Sequence, residues 1–180
     1  MASHGVSDEP RLPKGNGRES GQWTATSGPK DVVRKSSKSI ASARGATVTI
    51  PRGDGTVEIR QGGTRAWRNN NPGNIEAGDF ADRLGVIGSD GRFAIFPDEA
   101  TGDAALRVHF NQSAYSSLTV DAAVAKRTPP RDPGNNTAHT QELVRAISGL
   151  SGDAVIGKLT PEEKQKFYNA IERTEGWKPV

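Results

Sequence analysis

The run Trp67-Arg68-Asn69-Asn70-Asn71-Pro72-Gly73-Asn74-Ile75 is the least ordinary stretch of this 180-residue chain. Asn71-Pro72-Gly73-Asn74 predicts a type II turn, with proline at its second position and glycine supplying a positive φ at its third. The asparagines before it can hold the loop through side-chain to backbone bonds. Three consecutive amides beside an aromatic and an arginine also suit a sugar-binding cleft. Amides both donate to and accept from hydroxyl and N-acetyl groups.

Downstream, Val86-Ile87 and Phe93-Ala94-Ile95-Phe96 flank Gly88-Ser89-Asp90-Gly91, which predicts a hairpin turning at Asp90-Gly91. Phe93 and Phe96 are expected as core beneath the cleft. Pro97 and Asp98 end the strand and open a helix to about Asn111, with Ala104, Ala105 and Val108 on its buried side. Thr119 caps a helix from Val120 to about Arg127, which stops before the loop Pro129-Pro130-Arg131-Asp132-Pro133-Gly134. Asn136 or Thr137 caps the next helix, which runs to Ser148. Its core stripe is Leu143, Val144 and Ile147, and Gly149 is its stop.

The last helix, Thr160 to Trp177, has the best-marked start in the chain. Thr160 is the cap, Pro161 fits the first helical position, and Glu163 completes a Thr-x-x-Glu capping box. Phe167 and Ile171 lie four apart on one face, and Glu175 is the next step on it, just before the helix-stopping Gly176. Burial and the negative end of the helix dipole both favour the protonated form of such a carboxyl, the form that can donate a proton.

Upstream, Thr47-Val48-Thr49-Ile50 and Thr56-Val57-Glu58-Ile59 alternate about Pro51-Arg52-Gly53-Asp54-Gly55. They predict a β-hairpin with Val48, Ile50, Val57 and Ile59 on one face. Arg52-Gly53-Asp54 is read as turn chemistry, not as an adhesion motif. Residues 45–63 thus form a hairpin and linker, with Gln61-Gly62-Gly63 as a hinge into a domain spanning 64–180. Residues 1–44 are rich in Gly, Ser, Pro, Lys and Arg and are expected to be a flexible N-terminal segment. A small β region followed by about four helices is an α+β arrangement with segregated layers.

Composition narrows the chemistry. The chain has no cysteine, so thiol and cysteine-metal sites are excluded, and His4, His109 and His139 are too scattered to suggest a zinc site. No metal or cofactor is expected. Net charge is +3, but residues 1–63 carry 10 Lys/Arg against 6 Asp/Glu and residues 64–180 carry 14 against 15. The basic excess therefore lies outside the expected domain, which argues against a nucleic-acid-binding fold. No run of 18 apolar residues predicts a membrane span, and the first ten residues lack the pattern of a Sec signal peptide. Synthesis in the cytoplasm is expected.

Arg68 to Ile75 (RNNNPGNI), Gly91-x-Phe93-Ala94-x-Phe96 and Glu99-Ala100-x-Gly102 together resemble a lysozyme-like domain family found in phage structural proteins and bacterial peptidoglycan-active proteins. The Pro129-Pro130 loop, the Asn135-Asn136-Thr137 helix start and the Ile171 to Gly176 helix end extend the likeness, which covers about residues 65–177. In lysozymes a catalytic Glu ends a helix ahead of the β region. Here the matching Glu-Gly comes last, so the resemblance implies a circularly permuted lysozyme-like fold. It requires Glu175 to lie beside the Arg68–Ile75 loop.

The resemblance implies a glycosidase that cleaves peptidoglycan between N-acetylmuramic acid and N-acetylglucosamine, either a muramidase or a lytic transglycosylase. Glu175 is the expected general acid. Glu76 and Asp79 are candidates for the second carboxylate such reactions often use. Trp67, Arg68, Asn69, Asn71 and Asn74 are expected to bind sugar, with Trp67 or Trp177 stacking on a ring. The alternative is a non-catalytic virion or glycan-binding protein of the same fold. With no Sec signal, action at the cell wall would need delivery by a phage or a secretion system. An immunity protein or the delivery machinery would then be a partner.

Overall fold

The computed structural model describes residues 41–177, and the flexible segment expected at 1–44 lies outside them except for its last four residues. Three of those four form a strand. β1 (Ser42–Arg44), β2 (Thr47–Pro51) and β3 (Val57–Gln61) make an antiparallel sheet in that order. Next come two single-turn helices, α1 (Arg65–Arg68) and α2 (Asp79–Asp82), and then a short hairpin of β4 (Gly88–Ser89) and β5 (Ala94–Ile95). The remainder is helical: α3 (Glu99–Asn111), the single turn α4 (Ser113–Ser116), α5 (Val120–Arg127), α6 (Thr137–Ser148) and α7 (Pro161–Thr174). The architecture is α+β, and α3, α5, α6 and α7 are the four long helices that the sequence predicts.

Their ends follow local chemistry closely. Asp98, Thr119, Asn136 and Thr160 each accept a backbone N–H of the first turn, and Thr160 and Glu163 complete the capping box. Gly149 stops α6 in the left-handed conformation. The buried faces match less well. On α3 the buried residues are Gly102, Ala105, Leu106 and Phe110, while Ala104 and Val108 are exposed. On α6 only Val144 of the expected stripe is fully buried. Small apolar runs do not fix a helix's rotation when several partners compete for its surface. Phe167 and Ile171 of α7 are buried as expected, in a cluster with Phe110, Val124 and Val144.

The first hairpin departs from its expected register. Ile50 pairs with Glu58 and Val48 with Arg60, so Val57 and Ile59 face away from the Val48–Ile50 side. Directly opposed residues share a face, and a one-residue change of register moves every side chain to the other face. The inward positions of β3 belong to a charged chain instead. Glu58 accepts from Arg60 Nε at 2.6 Å and pairs with Arg52. Arg60 donates to the Trp67 carbonyl and lies 5.2 Å from that indole's centre. Val48 and Ile50 pack against Ile95, so this sheet is part of the same body as the rest.

The loop at Asn71–Asn74 also differs from a type II turn. The Asn74 N–H does donate to the Asn71 carbonyl at 2.9 Å, but the left-handed residues are Asn70 (φ 50°) and Asn74 (φ 41°), not Gly73. Gly73 is needed for space, because a Cβ there would lie 2.8 Å from Leu106 Cδ1. Gly102 is needed for the same reason, since a Cβ would fall 1.8 Å from the Asn70 carbonyl oxygen. Asn69, Asn70 and Asn71 are completely buried. Asn71 donates to the carbonyls of Ile75 and Ala94 and accepts from the Ile75 N–H. Asn70 donates to the Phe96 carbonyl, and Asn69 to Asp90.

Two stability measurements check these assignments. Asn71→Ala strips three bonds from buried backbone groups and should destabilise the protein by about 3 kcal/mol or more in urea unfolding. Val57→Thr and Ile59→Thr should each stay within about 0.5 kcal/mol of the parent, because both positions face solvent. Ile50→Ala should cost about 2–5 kcal/mol. A large loss at Ile59 would mean that the hairpin adopts the other register.

Candidate functional site

Glu175 follows α7 as its C-terminal cap, and the chain then turns at Gly176 (φ 70°). Thr64, the residue that caps α1, donates its hydroxyl to the Gly176 carbonyl at 2.9 Å. This contact ties the end of the last helix to the start of the asparagine loop, 112 residues earlier. Within that join, Asn74 Nδ2 donates to Glu175 Oε2 at 2.6 Å. The left-handed backbone at Asn74 aims its amide at the carboxylate, a conformation that asparagine tolerates better than most residues.

The other carboxylate oxygen is held by an arginine that the sequence reading passed over. Arg127, the last residue of α5, places Nη2 at 2.6 Å and Nε at 3.2 Å from Glu175 Oε1. Their side chains are only 10% and 20% exposed, so solvent screens this pair less than it does a surface ion pair. Both oxygens of Glu175 thus accept from N–H donors.

Asn74, Arg127 and Glu175 line an open cleft of about 850 Å³. Glu76 and Asp79 line it as well, so the candidate acids share one cleft. Glu76 is bound at 2.9 Å by Arg92 and is well exposed. Asp79 is exposed in the first turn of α2. The remaining expected sugar-binding residues lie elsewhere. Asn69 and Asn71 are buried latches of the loop, because their amides are consumed by backbone and by Asp90. Arg68 donates to the carbonyls of Gly62 and Gly63. Trp67 packs under Arg60, and Trp177 lines a second cavity.

The cleft's aromatic surface comes from other residues. Phe93, expected in the core, is half-buried on the cleft wall with the guanidinium carbons of Arg65 and Arg92 5.1 and 4.9 Å from its ring centre. His109 also lines the cleft, with its ring centre 4.5 Å from that of Tyr115. Burial, and then the nearby Arg127 and Lys126 cations, push its pKa down to about 4, so the imidazole is neutral at ordinary pH. Asp90 anchors the wall behind Phe93. Burial opposes its charge, but bonds from the Phe93 N–H, Asn69 and the Arg92 N–H, with Arg65 beside it, hold its carboxyl below the usual range.

Periodicity gives no hint of Arg127 or His109 as cleft residues. Each sits on a helix whose cleft-facing side is defined only by packing. Their one sequence signal is polarity within a turn or two of a buried helix end.

A second cavity, of about 500 Å³, lies between α3 and α7 and is lined by Asp103, Arg107 and Glu172 among others. The carboxyl of α7 that environment shifts towards its protonated form is Glu172. Burial raises its pKa to about 7, reinforced by Asp103 and Glu99 and opposed by Arg107. Among the described residues, no helix is long and apolar enough to cross a membrane. No protein-family model matches this chain, and no match is found among curated proteins.

The Glu172 site generates a pH prediction. The folded protein keeps this proton at pH values where the unfolded chain has released it, so the associated stability is fully present below the ordinary carboxyl value of 4.5. It is lost progressively as pH rises through about 7. Melting temperatures followed between pH 4.5 and 7.5 should therefore fall less steeply for Glu172→Gln than for the parent. Parallel curves would show that Glu172 does not hold the proton.

Proposed function

We propose that this protein is a peptidoglycan glycosidase with a circularly permuted lysozyme-like fold, acting between N-acetylmuramic acid and N-acetylglucosamine. The supporting observation is the 2.6 Å bond from Asn74 to Glu175 on the wall of an open polar cleft. It joins the terminal Glu-Gly to the RNNNPGNI loop, the juxtaposition that the family resemblance requires. In this reading Glu175 transfers a proton to the glycosidic oxygen as the C1–O bond breaks, leaving an oxocarbenium-like sugar. Asn74 fixes the carboxyl's orientation. Phe93 offers a face for a sugar ring, and the carboxylates of Glu76 and Asp79 are the groups available to stabilise the cation or to activate water.

Two endings of the reaction share this first step. In a hydrolase, water adds to C1 and loses its proton to a carboxylate. In a lytic transglycosylase, the substrate's own hydroxyl adds instead, loses its proton to the Glu175 carboxylate left by the first step, and closes an anhydro ring, so no second carboxylate is needed. The Glu76–Arg92 pair neutralises one candidate base, which lends weight to the second ending. The cell wall lies beyond the cytoplasmic membrane, so delivery by a phage or a secretion system belongs to the proposal, with an immunity protein as a partner in the latter case.

A second reading, a non-catalytic glycan-binding or virion protein of the same fold, draws on the Arg127–Glu175 pair. Two guanidinium nitrogens occupy Glu175 Oε1 and an amide occupies Oε2, so neither oxygen is free for a glycosidic oxygen until one contact loosens.

Mass spectrometry of digested, purified peptidoglycan tests the two readings. The parent protein should release muropeptides, and Glu175→Gln should release them at least about 100-fold more slowly. Anhydro-muramic ends indicate transglycosylation, and reducing ends indicate hydrolysis. No release by clean parent protein, or equal release by the variant, sinks the catalytic reading.

A further inference from the structure

Among the described residues, the anionic partner of Arg127 is Glu175, the residue on which the proposed chemistry depends. The guanidinium lies on the cleft wall with two of its nitrogens on Glu175 Oε1. Lys126 and Arg131, on either side of it in the chain, line the same cleft. Arg131 is 87% exposed and meets only Asp132, at 4.0 Å, while Lys126 is held by the Ala114 carbonyl and the Tyr115 ring. This wall is therefore cationic, and Arg127 is its inner end. A neutral sugar's hydroxyls cannot compete with a carboxylate for a guanidinium. A carboxylate on the ligand can, because it carries the same charge and offers both of its oxygens, whereas Glu175 gives Arg127 only Oε1 and gives Oε2 to Asn74.

We propose that Arg127 is the specificity-determining residue of the cleft. It recognises a carboxylate carried by the glycan, and in moving onto that group it releases Glu175. Recognition and activation are then one exchange. With an acidic strand bound, Arg127 pairs with the ligand, and Glu175 keeps Asn74 but loses its guanidinium partner. With a neutral strand bound, the Arg127–Glu175 pair persists. The position of Arg127 suits the exchange, because it ends α5 and the irregular segment before α6 begins immediately after it. This inference rests on the glycan-cleft reading above but does not depend on catalysis.

The exchange makes a prediction that simple electrostatic attraction does not. Removing the negative charge of Glu175 frees Arg127 before the ligand arrives. Glu175→Gln should therefore bind an acidic ligand more tightly than the parent protein does, and gain more for it than for a neutral one. The probes are the N-acetylglucosamine–N-acetylmuramic acid disaccharide and its methylamide, which lacks the carboxylate charge. They are titrated calorimetrically into the full-length protein.

The parent should prefer the acid by about tenfold or more, the range for a hydrogen bond between charged groups. Glu175→Gln should widen that preference. Arg127→Gln made in the Glu175→Gln background, which leaves no unpaired buried charge, should bring the two affinities together. Arg127→Lys in the same background should retain part of the preference. Equal binding of acid and methylamide by the parent, no gain for the acid in Glu175→Gln, or an acid preference that survives in the double variant would each overturn the assignment. Muropeptide release is read separately. Release without a charge preference removes Arg127's role and leaves the glycosidase standing. A charge preference without release does the reverse.

Discussion

The structure depends on how three buried asparagines dispose of backbone hydrogen bonds. Between α1 and α2 the chain forms no helix and no named strand, yet it passes through the interior, where every unpaired N–H or C=O is costly. Asn69, Asn70 and Asn71 supply the missing partners. Asn71 serves Ile75 and Ala94, Asn70 serves Phe96, and Asn69 reaches Asp90. The carbonyl of Asn70 presses so closely on α3 that only glycine fits at position 102. A run of amides that reads as a sugar-binding surface is thus spent on holding the loop. What this framework leaves facing the cleft is Asn74.

From that framework the candidate site follows by convergence of three elements. The asparagine loop brings Asn74, α7 brings Glu175, and α5 brings Arg127. The Thr64–Gly176 bond fixes the first two relative to each other, so the amide and the carboxylate meet without either side chain having to search for its partner. Arg127 introduces the opposing tendency. Its guanidinium occupies Glu175 Oε1, and its charge adds to burial in keeping His109 neutral. The site thus pairs a carboxylate oriented by an amide with a guanidinium that an anionic ligand would have to draw away, the arrangement on which the proposed glycosidase and its charge preference rest. Specificity and activation can then share one residue.

Elements with self-contained signals were legible in the sequence. The starts of α3, α5, α6 and α7 follow from cap residues acting within one turn, and the α+β class follows from the order of those elements. The turn at Asp90-Gly91 is of the same kind, with the Asp90 side chain accepting the N–H groups of Arg92 and Phe93. The candidate site was legible at Glu175 and Asn74, where a marked helix end and an unusual loop pointed to one another. It was not legible at Arg127 or His109, because no local pattern says which side of α5 or α3 meets the cleft.

Hydrogen bonds within three or four residues belong to the sequence itself, since chain connectivity already brings the partners together. Helix starts, stops and side-chain turns are of that kind. Tertiary structure alone decided the register of β2 against β3, where Glu58 and Arg60 took the inward face because Arg52 and Trp67 were there to receive them. It alone decided that Asn69 and Asn71 are structural while Asn74 faces the cleft. It alone placed Arg127 on Glu175, 48 residues away. These outcomes turn on which distant group satisfies a charge or an amide in a low-dielectric interior, and that competition is settled only when the chain has closed on itself.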